Sequence, residues 1–215
     1  MKKKFSINDM TVRNKITLFS VLMLGLMLII SAVGLWSSNM VNKARTNLNN
    51  SALAQFDITQ GFADFCNIKV RVRNILFVYY SDPDALQQQE QMIEEYKADA
   101  RKYLDLFEER MVSLSPEIQA QYQTVEDEIN LWYESTQKDI DMAKAGQVDQ
   151  AVNDLIVNGK VIADDVENGL VELINTIEAD TKAKEATIQQ QLVGLTIVQV
   201  VVMVLAVLIT IMYCL

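Results

Sequence analysis

The sequence contains no histidine, the side chain that most often serves as an acid, a base or a metal ligand near neutral pH. This absence excludes Ser-His-Asp and Cys-His nucleophiles, His-ligated zinc, c-type haem and the Glu-x-x-His di-iron pattern of helix bundles. Neighbouring carboxylates such as Asp164 and Asp165, or Glu94 and Glu95, diverge by about 100° on a helix and do not form an acid/base pair. The sequence therefore predicts a protein that is not an enzyme, with no cofactor and no metal site.

Proline, glycine and cysteine are also scarce. The 215 residues include two prolines, seven glycines and two cysteines. Few of the residues that punctuate strands and hairpins are present, which favours long helices. Cys66 and Cys214 lie about 150 residues apart, and the second lies in an apolar tail, so we expect two free thiols rather than a disulfide framework.

Two segments lack Asp, Glu, Lys and Arg altogether, namely residues 16–36 and residues 192–215. As helices they would extend roughly 31 and 36 Å, against a hydrocarbon core of about 30 Å. Each segment is therefore predicted to be a transmembrane helix. The first segment has an alternative interpretation as a cleaved signal peptide with a small-x-small site at Ala32 and Gly34. Its length and the presence of a second span favour the transmembrane interpretation.

The residues before the first span form a basic leader, 1–15. Its charged residues are Lys2, Lys3, Lys4, Asp9, Arg13 and Lys15. The positive-inside rule places this leader in the cytoplasm, so two crossings put residues 37–191 outside and return the C-terminus to the cytoplasmic side. The exterior segment holds 14 basic and 27 acidic residues, a charge of about −13. This charge argues against nucleic acid as a partner.

Helix-start signals occur twice within the exterior segment. In "SDPDAL", Ser81 or Asp82 can cap a helix whose first turn contains Pro83. In "LSPEI", Ser115 can cap a helix with Pro116 at its first position. Each site predicts the end of one helix and the start of the next.

A third break occurs at "KAGQVDQ", where Gly146 can take the left-handed position that ends a helix. The three breaks predict four helices, over residues 37–80, 84–114, 116–145 and 148–191. Apolar residues recur at spacings of three and four within them. The predicted fold is all-α: an antiparallel up-down-up-down four-helix bundle flanked by two transmembrane helices. The "VNGKV" stretch is interpreted as a local kink or a close helix crossing in the fourth helix rather than as a break.

Three cations alternate with valines in "NIKVRVRNILFVYY", but the helical periodicity around them favours a helix over a strand. On a helix, Lys69 and Arg73 share a face, whereas Arg71 and Arg73 are separated by about 200°. Two interpretations follow: the cations are solvated residues paired with carboxylates, or Lys69 and Arg73 border a groove that binds an anion. Helix lengths place Tyr96 and Trp132 at the same height, together with Tyr133 and Asn158. The predicted ligand-binding residues are Lys69, Arg71, Arg73, Tyr96, Trp132, Tyr133 and Asn158.

The order of segments resembles the N-terminal part of a bacterial methyl-accepting chemotaxis protein with a four-helix-bundle sensor domain. The leader "MKKKFSINDMTVRNK" precedes a span, a helical domain of about 155 residues follows, and a second span closes it. The stretch "LWYESTQKDIDMAKAGQVDQAVNDLIVNGKVIADDVENGLVELI" is similar to the turn between the third and fourth helices of these sensors. The resemblance implies a homodimer that binds a small molecule, an amino acid or organic acid, through the cations near the end of the first helix.

The resemblance also implies how the signal leaves the domain. Related receptors continue past the second span into a linker and a signalling coiled coil that contacts a kinase, whereas this sequence stops at "IMYCL". We expect either a fragment or a truncated receptor-like protein, with kinase contact only through a C-terminal signalling domain. The alternatives are the input region of a sensor kinase or cyclase, and a membrane-anchored helical scaffold that binds another protein.

Overall fold

A computed structural model describes residues 11–214 of the chain, so most of the basic leader and the last residue lie outside the described part. The described residues are almost entirely helical. The helices are α1 (Val12–Asn74), α2 (Pro83–Met111), α3 (Pro116–Lys144), α4 (Val148–Asp154) and α5 (Lys160–Cys214). Two π-helical segments, Ile75–Tyr79 after α1 and Leu155–Gly159 between α4 and α5, complete the fold.

Side-chain caps fix the starts of α2 and α3. The Asp82 carboxylate accepts a hydrogen bond from the Ala85 backbone N–H (3.1 Å), and Pro83 occupies the first helical position. The Ser115 hydroxyl accepts one from the Ile118 N–H (3.4 Å) ahead of the helix that Pro116 begins. Both caps satisfy donors that have no partner within the helix. Of the two predicted capping residues before α2, Asp82 is the one that caps.

Gly146 ends α3 as predicted. It has a φ of +82°, a conformation that residues with a Cβ rarely adopt. The Gly146 N–H donates to the Ala143 carbonyl, and the Gln147 N–H reaches back to the Met142 carbonyl (2.9 Å). This pair of bonds forms a Schellman motif, which reverses the chain before α4 begins.

Polar contacts show that neighbouring helices run antiparallel. Between α1 and α2, Asp57 pairs with Arg110, while Arg71 contacts Gln89. Between α2 and α3, Arg101 pairs with Glu126, and Lys144 pairs with Glu90. Lys138 of α3 pairs with Asp154 of α4, and Lys69 of α1 pairs with Glu167 of α5, which closes the ring of four. The predicted all-α four-helix bundle is confirmed.

The core of the bundle is a continuous apolar cluster contributed by all four helical layers. Its largest fully buried side chains are Phe65, Phe107, Tyr122 and Trp132. Smaller apolar side chains fill the space between them, and these include Ile58, Ile68, Val72, Ile75, Leu76, Ile93, Leu104, Ile118, Val125, Ile129, Ile140, Val166, Leu170, Leu173 and Ile177. The three- and four-residue spacing read from the sequence is thus the spacing of the buried face.

The chain divides into two compact units, which are Asn47–Lys184 and Met1–Thr46 with Glu185–Leu215. The second unit holds the two apolar segments. The helical stretches Val12–Tyr79 and Val148–Ile211 each contain a window, of mean hydropathy 2.6 and 2.9, that is long and apolar enough to cross a membrane. Neither window is buried within the protein, whereas the core helix of a soluble protein would be mostly buried. The Thr210 hydroxyl lies 3.9 Å from the Met23 sulfur within this unit.

The irregularity predicted at "VNGKV" is a π-helical segment, and the helix continues on both sides of it. Gly159 is buried there, and a Cβ on it would lie 3.1 Å from Leu155 Cδ1. The second π-helical segment, at Ile75–Tyr79, was not predicted. A π-helical turn inserts one residue into an α-helix and leaves the apolar spacing on either side intact.

Candidate functional site

A cavity of about 420 Å³ lies where the two π-helical segments face each other across the bundle. Its wall is built from the end of α1, the middle of α3 and the start of α5. The lining residues are Lys69, Arg73, Asn74, Phe77, Val78, Trp132, Leu155, Ile156, Gly159, Lys160, Ala163 and Asp164. Because π-helical turns are common at functional sites, their convergence on one cavity identifies it as the candidate site.

The π-helical segments supply apolar side chains to the rim of this cavity. Within the first segment Ile75 and Leu76 are buried, whereas Phe77 is 48% exposed. In the second segment Gly159 is buried, whereas Ile156 is 55% exposed. Both π-helical segments thus present apolar side chains on their outward faces. The cavity therefore has an apolar wall that the core does not cover.

Three cations and one carboxylate line the cavity. Lys69 is half-buried and forms an ion pair with Glu167 across α1 and α5, and its ammonium lies 5.9 Å from the Phe65 ring centroid. Arg73 is exposed and forms no ion pair with any residue in the described part of the chain. Lys160 and Asp164 follow one turn apart on α5. The Arg73 guanidinium is thus available to a carboxylate ligand.

Trp132 closes the inner end of the site. The side chain is only 1% exposed and packs edge-on against Phe65, with ring centroids 4.7 Å apart and planes at 62°. Its indole nitrogen, Nε1, is buried and has no hydrogen-bond partner. A buried indole N–H usually has an acceptor, and the described residues supply none to this one.

Arg71 and Tyr96 lie together on another side of α1. The Arg71 guanidinium is 6.0 Å from the Tyr96 ring centroid, and its Nη1 donates to the Gln89 side-chain oxygen (3.5 Å). The Arg71 Nε is buried without a partner. Neither side chain lines the cavity, which agrees with the wide angle predicted between Arg71 and Arg73.

Tyr133 lies on a second, open groove of about 740 Å³ between α2 and the end of α3. The Lys97 ammonium lies 5.4 Å from its ring centroid, and Glu134 and Lys138 also line this groove. Burial raises the pKa of Tyr133 to about 12, and the nearby Asp64 contributes to the same rise. The hydroxyl therefore stays protonated at physiological pH.

Asn158 is exposed and donates to the Asp154 carboxylate (2.5 Å), which also accepts from Lys138 (3.1 Å). Asp139 lies beside this group and is fully buried. Burial and then the neighbouring Asp154 raise the pKa of Asp139 to about 7, and the Asn158 and Lys138 hydrogen bonds lower that of Asp154. These opposite pKa shifts are expected when Asp139 stays protonated and its O–H donates a hydrogen bond to the Asp154 carboxylate.

Of the seven residues predicted from sequence, the structure brings Lys69, Arg73 and Trp132 to one cavity. Arg71 and Tyr96 form a second group, and Tyr133 and Asn158 lie in separate surroundings. Sequence reasoning missed the apolar wall, whose main members are Phe77, Val78, Leu155 and Ile156. The "VNGKV" irregularity was the available signal for part of this wall. No group of three or more acidic, cysteine or histidine side chains within residues 11–214 could hold a metal ion.

Residues 9–192 match the family model described as a four helix bundle sensory module for signal transduction. The chain belongs to this family. The predicted relationship to the sensor region of chemotaxis receptors is therefore confirmed, and the sensory module is a signal-transduction domain rather than a catalytic one. No curated protein and no solved structure matches the sensory module of this chain.

Proposed function

We propose that this chain is the sensing and membrane-spanning region of a bacterial chemoreceptor that binds a small organic anion outside the cell. The observation that carries the proposal is the cavity between α1, α3 and α5, where Arg73 has no carboxylate partner among the described residues. An arginine fork matches a ligand carboxylate, and the apolar wall excludes water that would weaken the contact. The ligands in question are amino acids and organic acids.

The topology follows from charge and hydropathy. The basic leader stays in the cytoplasm, residues 16–36 and 192–215 cross the inner membrane, and residues 37–191 lie outside. The receptor is a homodimer, as the family resemblance implies. With this topology, a ligand in the cavity reaches the protein from the extracytoplasmic side.

Signal transmission uses α5, which extends from Lys160 to Cys214. Lys160 and Asp164 line the cavity, and residues 192–214 of the same helix form the second span. A ligand that prefers one arrangement of α5 shifts the population of receptor states. Interface helices in such transitions typically move by about 1 to 2 Å.

Calorimetry on the full chain in lipid nanodiscs tests ligand binding, with a panel of amino acids and organic acids. Arg73→Gln should weaken binding of an active ligand at least tenfold, because it removes the guanidinium from the cavity. Arg71→Gln is the matched control, since Arg71 lies on another face, and it should change affinity less than twofold. Equal losses in both variants, or none in Arg73→Gln, would contradict the assigned site.

The proposed output of the receptor is chemotaxis, and the alternative outputs are a sensor kinase and a cyclase. A chimera that joins this chain to the signalling domain of a chemotaxis receptor should change kinase activity when ligand is added. A chimera that binds ligand with no change in kinase activity would support the binding site and contradict the chemotaxis output.

A second candidate function is a helical scaffold that binds another protein. It is favoured by the Lys69–Glu167 ion pair, which occupies one predicted ligand cation, and by the exposed apolar residues Val70 and Val78. A scaffold would show no saturable binding of any acid in the panel. It would instead lose its protein partner when Val70 is changed to Ser.

A further inference from the structure

We propose that the occupant of the cavity is a carboxylate with an apolar body, such as a phenyl-substituted or branched-chain acid, held within a single chain. This inference rests on the proposed function and narrows its ligand class. Polar acids such as succinate are expected to bind less tightly, because they would leave the apolar wall in contact with water.

The wall of the cavity is chemically divided. Apolar side chains form most of it, with Phe77, Leu155 and Ile156 toward the outside and Trp132 at the inner end. The cations stand together on α1 and at the start of α5. The volume of about 420 Å³ lies in the range of small-molecule sites, well above what a two-carbon acid would fill. A ligand that covers both kinds of wall must carry a charged head and an apolar body.

The exposed apolar side chains at the rim also favour a ligand with an apolar body. Phe77 is 48% exposed and Ile156 is 55% exposed, and each borders the opening. Transfer of such side chains out of water is favourable, so an apolar ligand body that covers them gains affinity there. A polar ligand would leave them in water.

The indole nitrogen of Trp132 supplies an independent observation. It is a buried donor without a partner in a residue that lines the cavity. A ligand oxygen would supply the missing acceptor if binding exposed this nitrogen to the cavity. Arg73 offers its positive charge to the ligand carboxylate.

The charges of the cavity favour an acid without an ammonium group. The Lys69 charge is already balanced by Glu167, which leaves Arg73 and Lys160 against Asp164. Asp164 is the only carboxylate that lines this cavity within the described residues, and Lys160 lies one turn away on the same helix face. An amino-acid ammonium would compete with Lys160 for it, whereas a simple carboxylate meets a net positive site.

The test uses the intrinsic fluorescence of Trp132 in the full chain, assembled in nanodiscs of neutral lipid. The chain has two tryptophans, so Trp36→Phe leaves Trp132 as the only one. The probes are 3-phenylpropionate, succinate, 3-phenylpropanol and phenylalanine. The first should bind at least tenfold more tightly than each of the others and change the Trp132 emission. Empty nanodiscs control for partition of the probes into lipid.

Matched variants locate the apolar body. Ile156 and Val157 are neighbours with the same exposure of 55%, but only Ile156 lines the cavity. Ile156→Ser should weaken the affinity for 3-phenylpropionate at least fivefold, whereas Val157→Ser should change this affinity less than twofold. Because both side chains are exposed, neither variant should prevent folding.

The outcomes separate this inference from the proposed function. Tighter binding of succinate or phenylalanine than of 3-phenylpropionate, with loss in Arg73→Gln, would overturn the apolar-body inference and support the anion sensor. Equal binding of 3-phenylpropanol would overturn the role of the charged head. Absence of binding by all four probes, with unchanged Trp132 emission, would reject both the inference and the proposed site.

Discussion

The buried Asp57 carboxylate and Tyr122 hydroxyl each have a side-chain partner, whereas the buried Trp132 indole nitrogen has none and Trp132 borders a cavity. Asp57 is buried and ion-paired with Arg110, and the Tyr122 hydroxyl donates to Glu108 (2.8 Å). We call these four residues the paired layer. The cavity layer consists of Lys69, Arg73, Trp132 and Gly159.

The difference between the layers coincides with a difference in helix geometry. The paired layer lies on regular α-helix, while the cavity layer adjoins both π-helical segments. Regular helices interdigitate at high density, so little space remains between them. The comparison indicates that the paired layer stabilises the bundle and that the cavity layer is less tightly packed. Matched substitutions in the two layers test this difference.

Removal of an arginine should give the largest contrast. Arg110→Met leaves the buried Asp57 carboxylate without its partner and should cost about 3 to 5 kcal/mol of unfolding free energy. Arg73→Met removes an exposed cation that has no described ion-pair partner and should change it by less than about 0.5 kcal/mol. Thermal unfolding of both variants in detergent measures the difference. Similar losses would refute the division into two layers.

Because of Asp139, the free energy of unfolding should fall as the pH rises. Its pKa is raised to about 7, so between about pH 4 and pH 7 the folded state holds a proton that the unfolded state releases. The stabilisation is complete below about pH 4 and is lost as the pH approaches 7. Asp139→Asn should remove this slope and stabilise the protein at pH 8, on the order of 2 kcal/mol.

Melting temperatures measured from pH 4 to pH 8 check this expectation. The exposed Asp149 provides the control, and Asp149→Asn should keep the wild-type slope. An unchanged slope in Asp139→Asn would show that Asp139 does not hold the proton. Lys138, Asp154 and Asn158 surround Asp139 or its partner, so these three residues stay unchanged in both variants.

Two tyrosines offer a smaller contrast. Tyr122→Phe removes the hydrogen bond to Glu108 in the paired layer and should cost about 1 to 2 kcal/mol. The Tyr133 hydroxyl makes no hydrogen bond to a residue of the described part, so Tyr133→Phe should cost less than about 0.5 kcal/mol. Denaturant unfolding gives both values. A larger loss at Tyr133 than at Tyr122 would contradict the assignment.

Two glycines give the smallest expected effects. A Cβ on Gly169 would lie 2.8 Å from Val125 Cγ2, and a β-branched core side chain has little freedom to move. Gly169→Ala should therefore cost about 1 kcal/mol or more. A Cβ on Gly159 would meet the end of Leu155, which lines the cavity and can move into it. Gly159→Ala should be near neutral, and a loss equal to that of Gly169→Ala would indicate a rigid cavity wall.

The helices could be predicted because their signals are local. Asp82 with Pro83 and Ser115 with Pro116 mark helix starts through backbone chemistry that needs no tertiary contact, and Gly146 does the same at a helix end. Apolar spacing then selects the buried face. The bundle follows from short loops between long amphipathic helices.

The site could be predicted only in part, because contacts between helices depend on the rotation of each one. One residue corresponds to about 100°, so Trp132 lines the cavity while its neighbour Tyr133 lies on another groove. The Lys69–Glu167 pair also depends on the relative rotation of α1 and α5. The π-helical turn at Ile75–Tyr79 follows these cations along the chain and does not change the apolar spacing, so the sequence pattern did not reveal it.

The π-helical turn at Ile75–Tyr79 also determines which kind of mutation has the greatest reach. A point substitution alters one side chain, whereas deletion of a single codon within residues 75–79 would return the turn to α-helical geometry. Such a deletion would turn the residues that follow it by about 100° with respect to Lys69 and Arg73. The reading frame would be intact and every cavity-lining cation would still be encoded, yet the wall beside those cations would be altered.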